Sequence, residues 1–134
     1  MKKIFSLSIV IALMVLFFSS CKKKDAEQTT QQKIQNNWTV VNYTDTYYDA
    51  GVSDTETTVA DPGDFINFGA NGSATYQIEG ETGSFAYSIQ DDNKLILGFS
   101  TYDIRTLTNS ELILYNKETI SATEYIESTI NLRK

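Results

Sequence analysis

Histidine is missing from this chain altogether, and cysteine occurs once, at Cys21. Without an imidazole there is no Ser-His-Asp or Cys-His arrangement and no Cys/His metal site. A single cysteine also has no disulfide partner in its own chain. Carboxylates are then the only plentiful acids or bases. Asp91 and Asp92 fall in an expected hairpin turn as a solvated pair, and the series Asp45, Asp49, Asp54, Glu56, Asp61 and Asp64 has the spacing of no calcium loop. No catalytic residue, metal ligand or cofactor is expected, and the chain is read as non-enzymatic. Basic residues are scarce too: from Ile34 onward 5 stand against 15 acidic ones. Phosphate binding needs clustered Lys and Arg, so nucleic acid is not an expected partner.

What is there begins with an export signal. Lys2 and Lys3 precede an apolar segment, Ile4 to Phe18, broken only by Ser6 and Ser8. A membrane helix needs about 20 apolar residues, whereas a signal peptide needs a basic start, roughly 7–15 apolar residues and small residues at the cut. Ser19 and Ser20 supply the small residues, and Phe18-Ser19-Ser20-Cys21 resembles a bacterial lipobox, with Phe18 where leucine is usual. Residues 1–20 are therefore read as a lipoprotein signal peptide and Cys21 as the site of fatty acylation, such as with palmitate. Two or three acyl chains, at about 0.8 kcal/mol per buried CH₂, hold a protein stably on a membrane. Lys22 to Lys24 and the polar tract that follows bury too little to fold, so 21–35 reads as a disordered tether. The expected location is the cell envelope, lipid-anchored, on the periplasmic or surface face of the outer membrane.

Residues 36–134 carry a period of two. Ala74-Thr75-Tyr76-Gln77-Ile78 and Phe85-Ala86-Tyr87-Ser88-Ile89 each place apolar or aromatic side chains on one face. Similar runs lie at Trp38–Tyr47, Asp64–Gly69, Leu95–Phe99, Tyr102–Leu107, Glu111–Tyr115 and Thr123–Leu132. Turn signals separate them, Asn71-Gly72 being the strongest. Short strands at spacings of roughly 8–12 residues indicate an all-β sandwich or barrel. Short links favour an eight-stranded antiparallel up-and-down meander, and closing it into a barrel removes exposed edges. The stretch Tyr48–Gly63 reads as a long irregular loop, a class of segment that is often functional.

Asn37-Trp38-Thr39-Val40-Val41, Ile66-Asn67-Phe68 with Ala70-Asn71-Gly72-Ser73, Tyr102-Asp103-Ile104 and Leu107-Thr108-Asn109-Ser110-Glu111-Leu112 together resemble the small lipocalin-like domains of Gram-negative lipoproteins. The glycine that precedes the family's first tryptophan by two residues is replaced here by Asn36. The resemblance implies a cup-shaped barrel carrying a small apolar molecule. It also implies that Trp38 closes the base, with Arg133 near the end of the last strand placed to stack over the indole. The first connection would overhang the open end and put Tyr47 and Tyr48 at the rim.

Two functions are compatible with this reading. In the first, a membrane-anchored protein binds a small hydrophobic or amphipathic molecule in a cavity lined by Ile66, Phe68, Ile78, Phe85, Ile89, Leu97, Phe99 and Ile104, with Tyr76, Tyr87 and Tyr102 as polar contacts. In the second, the barrel is filled, and its acidic surface and first long loop hold a protein or glycan. An eight-stranded barrel is just wide enough for either.

Overall fold

A computed structural model describes residues 27–134; Cys21 and the signal segment lie outside the described residues. The described residues form one short helix, α1 (Thr30–Ile34), followed by nine strands: β1 (Asn37–Asp49), β2 (Val52–Val59), β3 (Phe65–Phe68), β4 (Ser73–Ile78), β5 (Glu81–Gln90), β6 (Lys94–Leu97), β7 (Ser100–Leu107), β8 (Glu111–Thr119) and β9 (Glu124–Arg133). All pairings between neighbours are antiparallel, and β1 pairs with β9 to close the sheet into a barrel. The expected meander barrel is present.

Nine strands occupy eight positions. One side of β1 is covered along Thr39–Asp49 by β9. The other side is shared, with β3 against Asn37–Thr39 and β2 against Asn42–Asp49. The stretch expected to be an irregular loop, Tyr48–Gly63, is therefore mostly the end of β1 and the whole of β2. Ala50 and Gly51 make the tight turn between them with φ of 48° and 89°, the pair of positive angles a two-residue hairpin needs. Every residue of β2 is exposed, so no buried face was available to print an apolar alternation on the sequence.

Between β2 and β3 the chain steps around Asp64. Its backbone carbonyl accepts from Val40 N–H at 2.9 Å, and its buried carboxylate accepts from the N–H groups of Asp61 at 3.2 Å and Glu79 at 3.1 Å. The register of β1 against β9 slips between Val40 and Asn42. This bulge lets Trp38 and Val40 face the core below it while Tyr43, Asp45 and Tyr47 share the inner face above it.

The core sits at the closed end. Ile34, Trp38, Leu95, Leu112, Leu114 and Leu132 are wholly buried there, with Val40, Phe68 and Ala74. Helix α1 seals this end, which corrects the expectation of a tether running to Gln35. Thr29 and Gln32 form a reciprocal capping box, satisfying N–H groups that the helix itself leaves free. Burying the Ile34 side chain contributes about 1.5–3 kcal/mol. The helix is tied down by Thr30 Oγ1 donating to Asp92 O at 2.9 Å and by Gln31 Nε2 donating to Tyr87 Oη at 3.1 Å.

Candidate functional site

Above this packed base the barrel is hollow. A cavity of about 370 Å³ is lined by Ile66 of β3, Ile78 of β4, Phe85 of β5, Leu97 of β6, the turn residues Gly98 and Phe99, Ser100 and Tyr102 of β7, and Ile130 of β9. Its wall is apolar apart from the hydroxyls of Ser100 and Tyr102. That composition suits a small apolar body with one or two polar contacts.

Two glycines preserve the space. Tyr76 lies flat over Gly83, where an added Cβ would sit 2.6 Å from the tyrosine oxygen and 2.7 Å from its ring carbons. The ring also stacks on Phe85 with centroids 4.6 Å apart and planes 11° from parallel. Tyr76 is thereby held against the wall and does not line the cavity. Gly98 turns the chain from β6 into β7 with φ of 60°, a left-handed angle that favours glycine. It carries Phe99 to the rim, where that side chain is fully exposed.

Tyr102 is the polar group that matters most in the cup. Burial pushes its phenol pKa up; a hydrogen bond with Ser100 opposes the shift and the nearby Asp45 carboxylate adds to it. The hydroxyl stays protonated at neutral pH and is available as a donor.

A second hollow of about 350 Å³ adjoins the cup along β9, where Ile126, Ser128 and Ile130 share one face. It is lined by Asp45, Tyr47, Asp54, Glu56, Glu118, Ile126 and Ser128. Ser128 Oγ donates to Asp45 Oδ1 at 2.5 Å, and the Tyr47 hydroxyl donates to Glu124. The cup's upper wall on the β1 side is therefore acidic. Among the described residues no group of three or more side chains could hold a metal ion.

The remaining residues expected at the site fall elsewhere. Phe68 and Tyr87 belong to the base, their rings edge to face at 5.1 Å, and the Tyr87 hydroxyl donates to Gly69 O at 2.6 Å. Ile89 and Ile104 pack, partly buried, against the core. Tyr48 is on the opposite face from Tyr47 and stacks on Tyr125 at 4.3 Å, away from the cup. Trp38 is wholly buried among the core side chains, its indole N–H donating to Ile34 O at 2.8 Å. The cation over its ring is Lys134, 5.0 Å from the centroid; Arg133, the expected partner, is one residue too early and sits in register with Thr39 and Glu111.

Two lining residues, Ile130 and Ser100, and the buried Tyr43 hydroxyl lie outside the expected set. Ile130 belongs to the run Glu124–Arg133, whose inward set Ile126, Ser128, Ile130 and Leu132 mixes polar with apolar and so hides its face. Ser100 falls between the runs Leu95–Phe99 and Tyr102–Leu107. Tyr43 packs against the core, and its hydroxyl is buried with no hydrogen-bond partner. Burial, then the carboxylates of Asp64, Glu79 and Asp61, push its phenol up.

No protein-family model matches the chain, and no curated protein matches it. Among solved structures the chain is similar to bovine odorant-binding protein in its complex with undecanal, at 15% identity over 84% of this chain and 77% of that one, with a TM-score of 0.45.

Proposed function

We propose that the chain is a cell-envelope lipoprotein, anchored to the outer membrane through acylated Cys21, whose barrel binds one small hydrophobic or amphipathic molecule. The observation that carries the binding reading is the open cavity over the packed base: about 370 Å³, lined by apolar side chains from five strands, with Tyr102 and Ser100 supplying the polar contacts. Gly83 lets the Tyr76 ring lie against the wall, so that ring stays out of the cavity. The anchoring part rests on the lipobox-like tetrad at Phe18–Cys21.

The test is binding of the apolar fluorophore N-phenyl-1-naphthylamine to the segment 27–134. One site per chain is expected, with a blue shift as water is excluded. Phe85→Trp adds ring volume at the wall and should weaken binding severalfold. Because overpacking costs about 1–3 kcal/mol, the variant's denaturation midpoint is measured alongside. A fluorophore that stays in water, together with an interior that crystallography shows filled by side chains and isolated waters, would rule the binding reading out.

A further inference from the structure

Strand β2 hydrogen-bonds to β1 alone, so its other edge is unpaired among the described residues. Eight residues at about 3.3 Å each give an edge of about 26 Å, and all eight side chains are exposed. The hairpin fixes which backbone groups are free. Asp49 and Val52 flank a two-residue turn, so the pairs Tyr47–Asp54 and Asp45–Glu56 exchange hydrogen bonds within the hairpin. The N–H and C=O groups of Ser53, Thr55, Thr57 and Val59 then point away from β1. On the outer face the hydroxyls of Thr44 and Thr57, and of Thr46 and Thr55, are paired at 3.0 Å, as the alternation requires.

The wall beside this edge is missing for a visible reason. Strand β4 covers β3, but it ends at Ile78, where Glu79 and Gly80 turn with φ of 52° and 80°. Since β2 and β3 share one barrel position, a strand added to β2 would occupy the position of β4 at the next level up.

Charge decides what fits there. Asp54 and Glu56 face the hollow from β2, with Asp45 and Glu118 behind them. The ion pairs of the described residues, Lys94–Asp103 and Lys117–Glu127, involve none of the four. Asp45 stands directly opposite Glu56, a like-charge arrangement that destabilises a sheet. A second copy of β2 at this edge would bring two more carboxylates to it. A segment with Lys or Arg at alternate positions would instead turn its cations toward the hollow and present its intervening side chains beside Ser53, Thr55 and Thr57.

We propose that the free edge of β2 is a docking site for an extended basic segment of another protein, which adds to the sheet as a further strand. The site is separate from the apolar cup, and an occupied edge leaves the cup's lining in place.

The test uses the full chain in a non-ionic detergent and a fluorescein-labelled nonapeptide alternating lysine and threonine, read by anisotropy. The peptide should bind at least tenfold more tightly than its glutamate–threonine counterpart, and Asp54→Asn with Glu56→Gln should weaken it severalfold. Thr55→Pro deletes an outward N–H while leaving the β1 ladder intact, and should weaken binding tenfold; Thr55→Val, which loses only the hydroxyl pair, should not. Should Thr55→Pro unfold the chain, slowed amide exchange at Ser53, Thr55, Thr57 and Val59 in the unaltered protein reports the same contact. Absence of peptide binding, equal binding of both peptides, indifference to Thr55→Pro, or dimerisation through β2 each overturns the proposal.

Discussion

An indole N–H buried at the bottom of a β-barrel must find an acceptor, and Trp38 finds the Ile34 carbonyl at 2.8 Å. The bond ties the helix that seals the barrel to the first strand of its wall. Trp38→Ala should cost about 3–5 kcal/mol, as a buried large-to-small change does. Trp38→Phe restores most of the packing but orphans the carbonyl, and should cost about 1–3 kcal/mol. A denaturation midpoint that barely moves with the alanine variant would place the side chain outside the core. Tyrosines give the pH dependence. Burial raises the pKa of Tyr102 and of Tyr43 above the ordinary 10.0, so the folded state holds those protons more tightly than the unfolded chain. Their contribution to stability is complete below that value and is lost as pH rises through the folded pKa. Thermal midpoints followed upward from about pH 10 should fall, and less steeply in Tyr102→Phe.

At the level of the elements, the step between β2 and β3 depends on one carboxylate. Asp64→Ala leaves the N–H groups of Asp61 and Glu79 without their acceptor and should cost about 1–3 kcal/mol, measured by urea denaturation. Asp64→Asn, with one carbonyl oxygen for two donors, should fall between. The same step shows what was legible beforehand. Strands such as β3 and β8 bury alternate side chains, Ile66 and Phe68 on one and Leu112 and Leu114 on the other, and burial writes alternation into the sequence. Strand β2 buries none; its only marks were the β-branched residues Val52, Thr55, Thr57, Thr58 and Val59, and its turn begins with Ala50 where Asn or Asp is usual. Helix α1 announced itself through Thr29 and Gln32 at capping-box spacing, but five residues are too few to show a helical period. Of the cup, Ile66, Ile78, Phe85, Leu97 and Tyr102 are readable because they alternate along strands, whereas Phe99, expected on the same run as Leu97, stands in the turn after β6 with its side chain exposed. The bulge between Val40 and Asn42 shifts the face of β1 without any sequence signature of its own, which hides Tyr43; on β9 the unbroken alternation through Leu132 brings Lys134, not Arg133, to the side of Trp38.

For the molecule as a whole, the described chain begins at the closed end, beside α1. An anchor at Cys21 would then attach the barrel by its base and leave the cup facing away from the bilayer. Cys21→Ser should abolish fatty-acid labelling and leave the precursor uncleaved by the lipoprotein pathway; continued uptake of labelled palmitate would refute acylation at that thiol. The closure of the barrel has a kinetic consequence. Asn131 donates to Asn42 across the β1–β9 seam at 2.7 Å, a bond between residues 89 apart in the chain. Contacts of that separation bear the entropy of loop closure before they return any stabilisation. Refolding should accordingly be slow, on the order of milliseconds to seconds, and no partly synthesised chain can close the barrel: until Glu124–Arg133 is available, both β1 and β8 are open edges.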